Sequence, residues 1–138
     1  MAYDPTIPAL ENYIGDDIAK IRENFAELAG SRIVEMGSNA NGEYVRWENG
    51  LQVCWTNVSE TVNITSSSAL GGYFGNGTAR SFPAAFAARP VVLVTQDEGA
   101  FAEALNVLVT GYTVRYRSIS SVSNWSNSVY VFAIGRWK

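Results

Sequence analysis

The apolar residues of this chain recur with two different periods, and the change between them near residue 40 restricts the fold more than any other feature. Between Pro8 and Ala29 the spacing is helical, with Ile14, Ile18, Ile21, Phe25 and Leu28 stepping by four, three, four and three. That is the seam of a coiled coil, with Ile18 and Phe25 at a and Ile14, Ile21 and Leu28 at d. Pro8 suits a first helical turn and Gly30 the position just past the last one. Gly15 weakens the helix by about 1 kcal/mol relative to Ala. Two readings are open: a helix laid on the chain's own β domain, or a helix that pairs with copies of itself. The narrow stripe and the extended linker 31–41, which does not turn back, favour self-association. β-branched Ile at both a and d favours three helices or more. Two heptads are marginal in water, so the rest of the chain must also hold such an oligomer together.

From Gly42 onward the period is two. GEYVRW, the turn Glu48-Asn49-Gly50 and LQVCWTNV read as a hairpin, with Asn-Gly supplying the positive-φ positions. VNITSS reads as a further short strand, and residues 66–89 as a Gly-rich stretch of small residues. PVVLVTQ, ALNVLVT (104–110), YTVRYRSI and VYVFAIGRW supply the remaining strands, with SSVSNWSNS (120–128) as the last loop. The expected fold is mainly β: an antiparallel β-sandwich of about six strands, preceded by an N-terminal α-helix that forms a short trimeric coiled coil. The expected organisation is 1–30 for trimerisation and attachment, 31–41 as linker, and 42–138 as the β domain.

Charge is sparse and uneven. Residues 1–35 hold seven acids against three bases, a net −4, while residues 36–138 carry six acids against seven bases, a net +1. Two lysines in the whole chain leave no basic footprint for nucleic acid. The N-terminus is acidic and polar, unlike a secretion signal, and no apolar run reaches the ~18 residues of a membrane helix. These features predict a soluble protein made in a reducing compartment. Cys54, the single cysteine, is expected to be a buried, inert thiol.

The chain has no histidine, which removes Ser-His-Asp and Cys-His catalysis and the commonest metal ligand. One Cys without His makes zinc a poor fit, so no metal and no cofactor are expected. Glycoside hydrolysis needs two carboxylates across a cleft, whereas Asp97 and Glu98 are adjacent and read as a polar turn with Gly99. No catalytic residue is expected, and the chain reads as a binding protein.

Sugars present apolar C–H faces and rings of hydroxyls, which aromatic faces and Arg, Asp or Asn can match. The candidates are Trp125 with Asn124 and Asn127 on the last loop, Arg115 and Arg117 on one face of the preceding strand, and Tyr73 beside Phe74 in the Gly-rich stretch. The alternatives are ion pairing or an interface for the arginines, and a core anchor for Trp125. Alternation puts Tyr112, Val114 and Tyr116 on the opposite face from the arginines. Trp47, Trp55 and Trp137 fall in strands and read as core or interface.

The order of segments in residues 37–138 resembles the C-terminal receptor-binding domain of phage tail fibres with an H-type-lectin-like sandwich. GSNANGEYVRWENGLQVCW opens the match, SFPAAFAARPVVLVT and VTGYTV follow, and a Trp in the last loop precedes VYVFAIGRW. The resemblance covers about three-quarters of the chain. It implies a homotrimer, a bacterial surface glycan or other receptor, no cofactor, and a place in a phage tail, made in the host cytoplasm. The N-terminal segment would then engage another tail or baseplate protein. The pocket histidine usual in those lectins has no counterpart here. Two other functions compete: a structural tail connector or cap without glycan binding, and a small polysaccharide-acting enzyme.

Overall fold

The computed structural model describes residues 14–29, 32–96 and 100–138. The expected helix start at Pro8, the stop at Gly30 and the Asp97-Glu98-Gly99 turn lie outside these residues, as do the side chains of Ile14 and Leu28. Helix α1 spans Ile14–Ala29. Its seam is uncovered: Ile18 and Ile21 are exposed and Phe25 is 68% exposed. Among the described residues, neither sheet forms an extensive packing interface with α1.

Ten strands follow among the described residues, against the six or so expected. They are β1 (Ile33–Asn39), β2 (Gly42–Trp47), β3 (Leu51–Ile64), β4 (Ser66–Ser67), β5 (Tyr73–Asn76), β6 (Arg80–Ser81), β7 (Val91–Gln96), β8 (Phe101–Leu105), β9 (Gly111–Ser118) and β10 (Val122–Arg136). The first sheet runs β1-β2-β3-β10-β7. The second runs β4-β5-β9-β6, with β8 also paired to β9, and every pairing is antiparallel.

Four local readings change. The segment expected to be a linker is extended but paired: β1 joins β2 through a tight Asn39–Gly42 turn. Gly42 is required there, because its φ is +125° and a Cβ would lie 2.4 Å from the Trp55 carbonyl oxygen. Glu35 fastens this hairpin by accepting from the Tyr44 hydroxyl at 2.5 Å and from Arg46 at 2.7 Å. Those bonds hold its carboxyl below the usual range.

The ALNVLVT strand is displaced to Phe101–Leu105. Asn106 turns left-handed at φ 49° and ends the pairing. The following loop gives its carbonyls away: Thr110 and Val109 accept from the N–H groups of Phe82 and Phe86, each at 2.9 Å. LQVCWTNV and VNITSS prove to be one continuous β3 up to Ile64. The expected last loop is also mostly strand, since Trp125 pairs with Val62, Ser126 with Thr61 and Asn127 with Glu60. A bulge between Val122 and Trp125 absorbs Asn124, whose φ is 52°.

One core lies between the sheets. Cys54, Val58, Val62, Ile64, Val129, Val131 and Ala133 contribute from the first sheet, and Tyr112, Val114 and Tyr116 from β9. Phe82 and Phe86 of the FPAAF segment plug it, edge to face with centroids 5.1 Å apart. Cys54 is buried and free, and burial pushes its thiol pKa up, as an inert thiol requires.

Candidate functional site

Strand alternation gives each sheet an outer face, and the two differ in chemistry. On the first sheet, Trp55 pairs with Phe132 and Phe132 with Leu93 in one row, and Ile134 pairs with Val91 in the next. Met36, Trp55, Tyr130, Phe132, Leu93 and Val91 are all exposed. Towards the other end this face turns polar, where the hydroxyls of Ser59 and Ser128 lie 2.7 Å apart and those of Thr61 and Ser126 2.6 Å apart.

The outer face of the second sheet is mixed. Phe74, Arg117 and Phe101 form one row, and Asn76, Arg115 and Glu103 the next. The Arg115 guanidinium sits over the Phe74 ring at 4.9 Å and its Nε donates to Asn76 at 3.0 Å. Arg117 donates to Glu103 at 2.8 Å from both Nε and a terminal nitrogen. Phe101 is 77% exposed, an aromatic ring facing solvent beside two arginines and a carboxylate. Phe101 was absent from the sequence candidates because the strand was placed one segment too late; only pairing with β9 brings it beside Arg117.

The structure therefore brings Arg115 and Arg117 together, each already engaged by a protein partner. It joins them to Phe74 and separates them from the remaining candidates. Trp125 packs against the core, edge-on to Tyr116 with centroids 5.5 Å apart. Tyr73 also faces the core side. Asn124 is exposed at the bulge, where its backbone N–H donates to Asn63 at 2.7 Å, and the Asn127 side-chain oxygen accepts from the Ser128 N–H at 2.7 Å.

Under the edge of the second sheet lies a buried polar cluster centred on Glu60. Its two oxygens accept from the Tyr116 hydroxyl at 2.8 Å, the Thr78 N–H at 3.0 Å and Arg80 Nη2 at 3.2 Å. A Cβ at Gly77 would stand 2.0 Å from the carboxylate, so a larger residue there would push Glu60 out of this arrangement. Burial first, then the bond to Glu60, raises the Tyr116 pKa well above that of a free tyrosine. Burial likewise pushes Tyr112 up to about 12.

Beside this cluster open two clefts that share Arg80 and Tyr112 as a common wall. The first, about 220 Å³, lies between the β1–β2 turn, the middle of β3 and β6, with Asn41, Thr56 and Ser81 around it. The second, about 340 Å³, lies on the far side of β6, against Asn106, Thr110 and Thr113. None of the six residues singled out from sequence lines either cleft. Among the described residues no three His, Cys, Asp or Glu side chains gather to hold a metal, and no helix is long and apolar enough to cross a membrane.

No family model matches the chain, and no curated protein matches it. Solved structures do. An N-truncated R1-type pyocin tail fibre is similar at 21% identity and a TM-score of 0.56, over 90% of this chain and 97% of that one. A fragment of the Pseudomonas aeruginosa R1 pyocin fibre, its C-terminal residues 323–701, is similar at 20% identity and a TM-score of 0.55. That match covers 90% of this chain but only 32% of the fragment, so the chain spans about a third of its length. An N-truncated R2-type fibre gives 14% identity and 0.55, over 91% and 43%. What this chain shares with the C-terminal parts of pyocin tail fibres is therefore the fold.

Proposed function

We propose that the chain is the receptor-binding tip of a tail fibre, from a phage or a phage-derived particle, and that it attaches as a homotrimer to a glycan on a bacterial surface. It acts by binding and catalyses no reaction. The observation that carries this reading is the opposite character of the two outer faces. A monomeric domain rarely leaves Trp, Phe, Tyr, Leu, Val and Met exposed together on one sheet. The same chain carries an uncovered apolar seam on α1, immediately before edge strand β1. Both surfaces are met at once by copies of the chain, and β-branched Ile along the seam favours three. The mixed face of Phe74, Phe101, Arg115, Arg117 and Glu103 then points outward from the assembly, where exposed aromatics beside paired charges suit a sugar chain. The arrangement fits a sandwich of the H-type-lectin kind. The particle would be assembled in the host cytoplasm, with residues 1–30 engaging another tail or baseplate protein. Three weak sites on one rigid body give avidity without a deep pocket.

Phe101→Ala and Arg117→Ala test the outward face. Each should reduce adsorption of the purified protein to host cells while the solution mass stays at three times 15.0 kDa. Undiminished adsorption by both variants would remove this face from the binding role. Blank adsorption to every strain tested, with tight binding to a virion component, would instead favour a connector or cap.

A further inference from the structure

We infer that the first of the two clefts beside Arg80 and Tyr112, the one between the β1–β2 turn, β3 and β6, forms a separate saccharide site that takes a single neutral sugar ring by its hydroxyls. Concavity is the first argument. The outer face of the second sheet is open, whereas ligand-sized hollows lie on both sides of β6 and share one wall. At about 220 Å³ the first is smaller than the ~300 Å³ lower end of drug-sized pockets, which suits one ring rather than an extended chain.

The lining sets the ligand class. Arg80 keeps a third of its side chain exposed, and its charge is already matched by Glu60 at 3.2 Å. A ligand carboxylate would have to compete with that carboxylate, whereas a hydroxyl can accept from the guanidinium with no ionic exchange. Arg80 Nε is buried without an acceptor among the described residues, so only the exposed third of this side chain is within reach of a ligand in the cleft. Asn41, Thr56 and Ser81 add amide and hydroxyl groups at the rim. Tyr112 is 4% exposed and stays protonated to about pH 12, which keeps charge out of the wall.

The backbone also supports a built site. β2 pairs with β3 only as far as Trp55, while β3 runs on to Ile64. Thr56 to Val58 therefore have a neighbour on the β10 side alone, and the first cleft opens at this free edge.

The ligand class follows from the lining; the role of the cleft in host attachment rests on the function proposed above. The test is an NMR titration of the ¹⁵N-labelled full chain with glucose, rhamnose, N-acetylglucosamine and N-acetylgalactosamine in turn. At least one sugar should give saturable shifts at Asn41, Thr56, Arg80 and Ser81. Ala79→Trp fills the shared wall from an exposed position, and Asn41→Trp enters the first cleft from the opposite rim. Each should weaken that titration at least tenfold with the melting temperature unchanged. The inference is overturned if no sugar shifts these residues, if shifts appear only at Phe74, Arg115 and Arg117, or if both Trp variants titrate like the parent. Sugar binding at the cleft in a protein that adsorbs to no host cell would defeat the attachment reading and leave the cleft standing.

Discussion

Glu60 shows what a single residue holds together here. Its carboxylate is 9% exposed and takes three donors from three parts of the chain, so removing it strands the Arg80 charge and the Tyr116 hydroxyl together. Glu60→Ala should cost about 2–3 kcal/mol in urea unfolding, because it strands the buried Tyr116 hydroxyl while Arg80, a third exposed, regains some water. Tyr116→Phe, which removes only one donor, should cost about 1–2 kcal/mol. Tyr112 makes a separate, pH-dependent contribution. Its folded pKa is raised from 10 to about 12, so the unfolded chain ionises first. The stability is intact below pH 10 and is lost as pH rises from 10 through 12, on the order of 2–3 kcal/mol over that window. Alkaline unfolding curves should lose about half of their slope over pH 10–12 in Tyr112→Phe, the remainder coming from Tyr116, whose pKa is also raised. Part of the Glu60 cluster was legible in the sequence. Val58, Glu60 and Val62 alternate onto one face, which marks a charge on an apolar side. Ending one strand at Val58 and starting another at Val62 hid it, because Glu60 then fell in a loop.

At the scale of elements, the long strands were legible and the short ones were not. GEYVRW, PVVLVTQ, YTVRYRSI and VYVFAIGRW alternate or run apolar for six residues or more, and each is a strand as read. β4, β5 and β6 span two to four residues within a stretch of Gly, Ser and Ala. β5 and β6 pair with β9 and β4 with β5, across the sheet, and no local period records it. Gly75 is the point where this matters. Its Cβ would stand 2.1 Å from the Asn63 carbonyl oxygen, so β5 can cross β3 only with glycine there. Gly75→Ala should destabilise the domain by about 1–3 kcal/mol and raise hydrogen exchange along Tyr73–Asn76 above the rest of the second sheet. Helix α1 was read from its period alone, and its Phe25 is uncovered. The strand at residues 33–39 was missed because IVEMGSN has neither clean alternation nor a turn signal before it.

For the molecule as a whole, the change from a helical period to a strand period was legible in the sequence, but not the separation between an apolar outer face, a mixed one and a polar cleft. That separation depends on strand register, which brings Trp55, Phe132 and Leu93 into one row from three distant segments. A charge in that row tests what the face does: Leu93→Arg should reduce the solution mass towards 15.0 kDa and leave the circular dichroism of the sheets unchanged. A trimer that survives this change would place the contact elsewhere. One further consequence follows from β10. It pairs with β3 from Val122 to Arg136 and with β7 from Val129 to Ile134, so the first sheet is joined through the last strand to be synthesised in this domain. Until that strand leaves the ribosome, β3 and β7 are unzipped edges with apolar faces, and no early half-sheet can mature on its own. A messenger cut short before Val122 would yield a chain that cannot close, which keeps incomplete copies out of any assembly that requires finished ones.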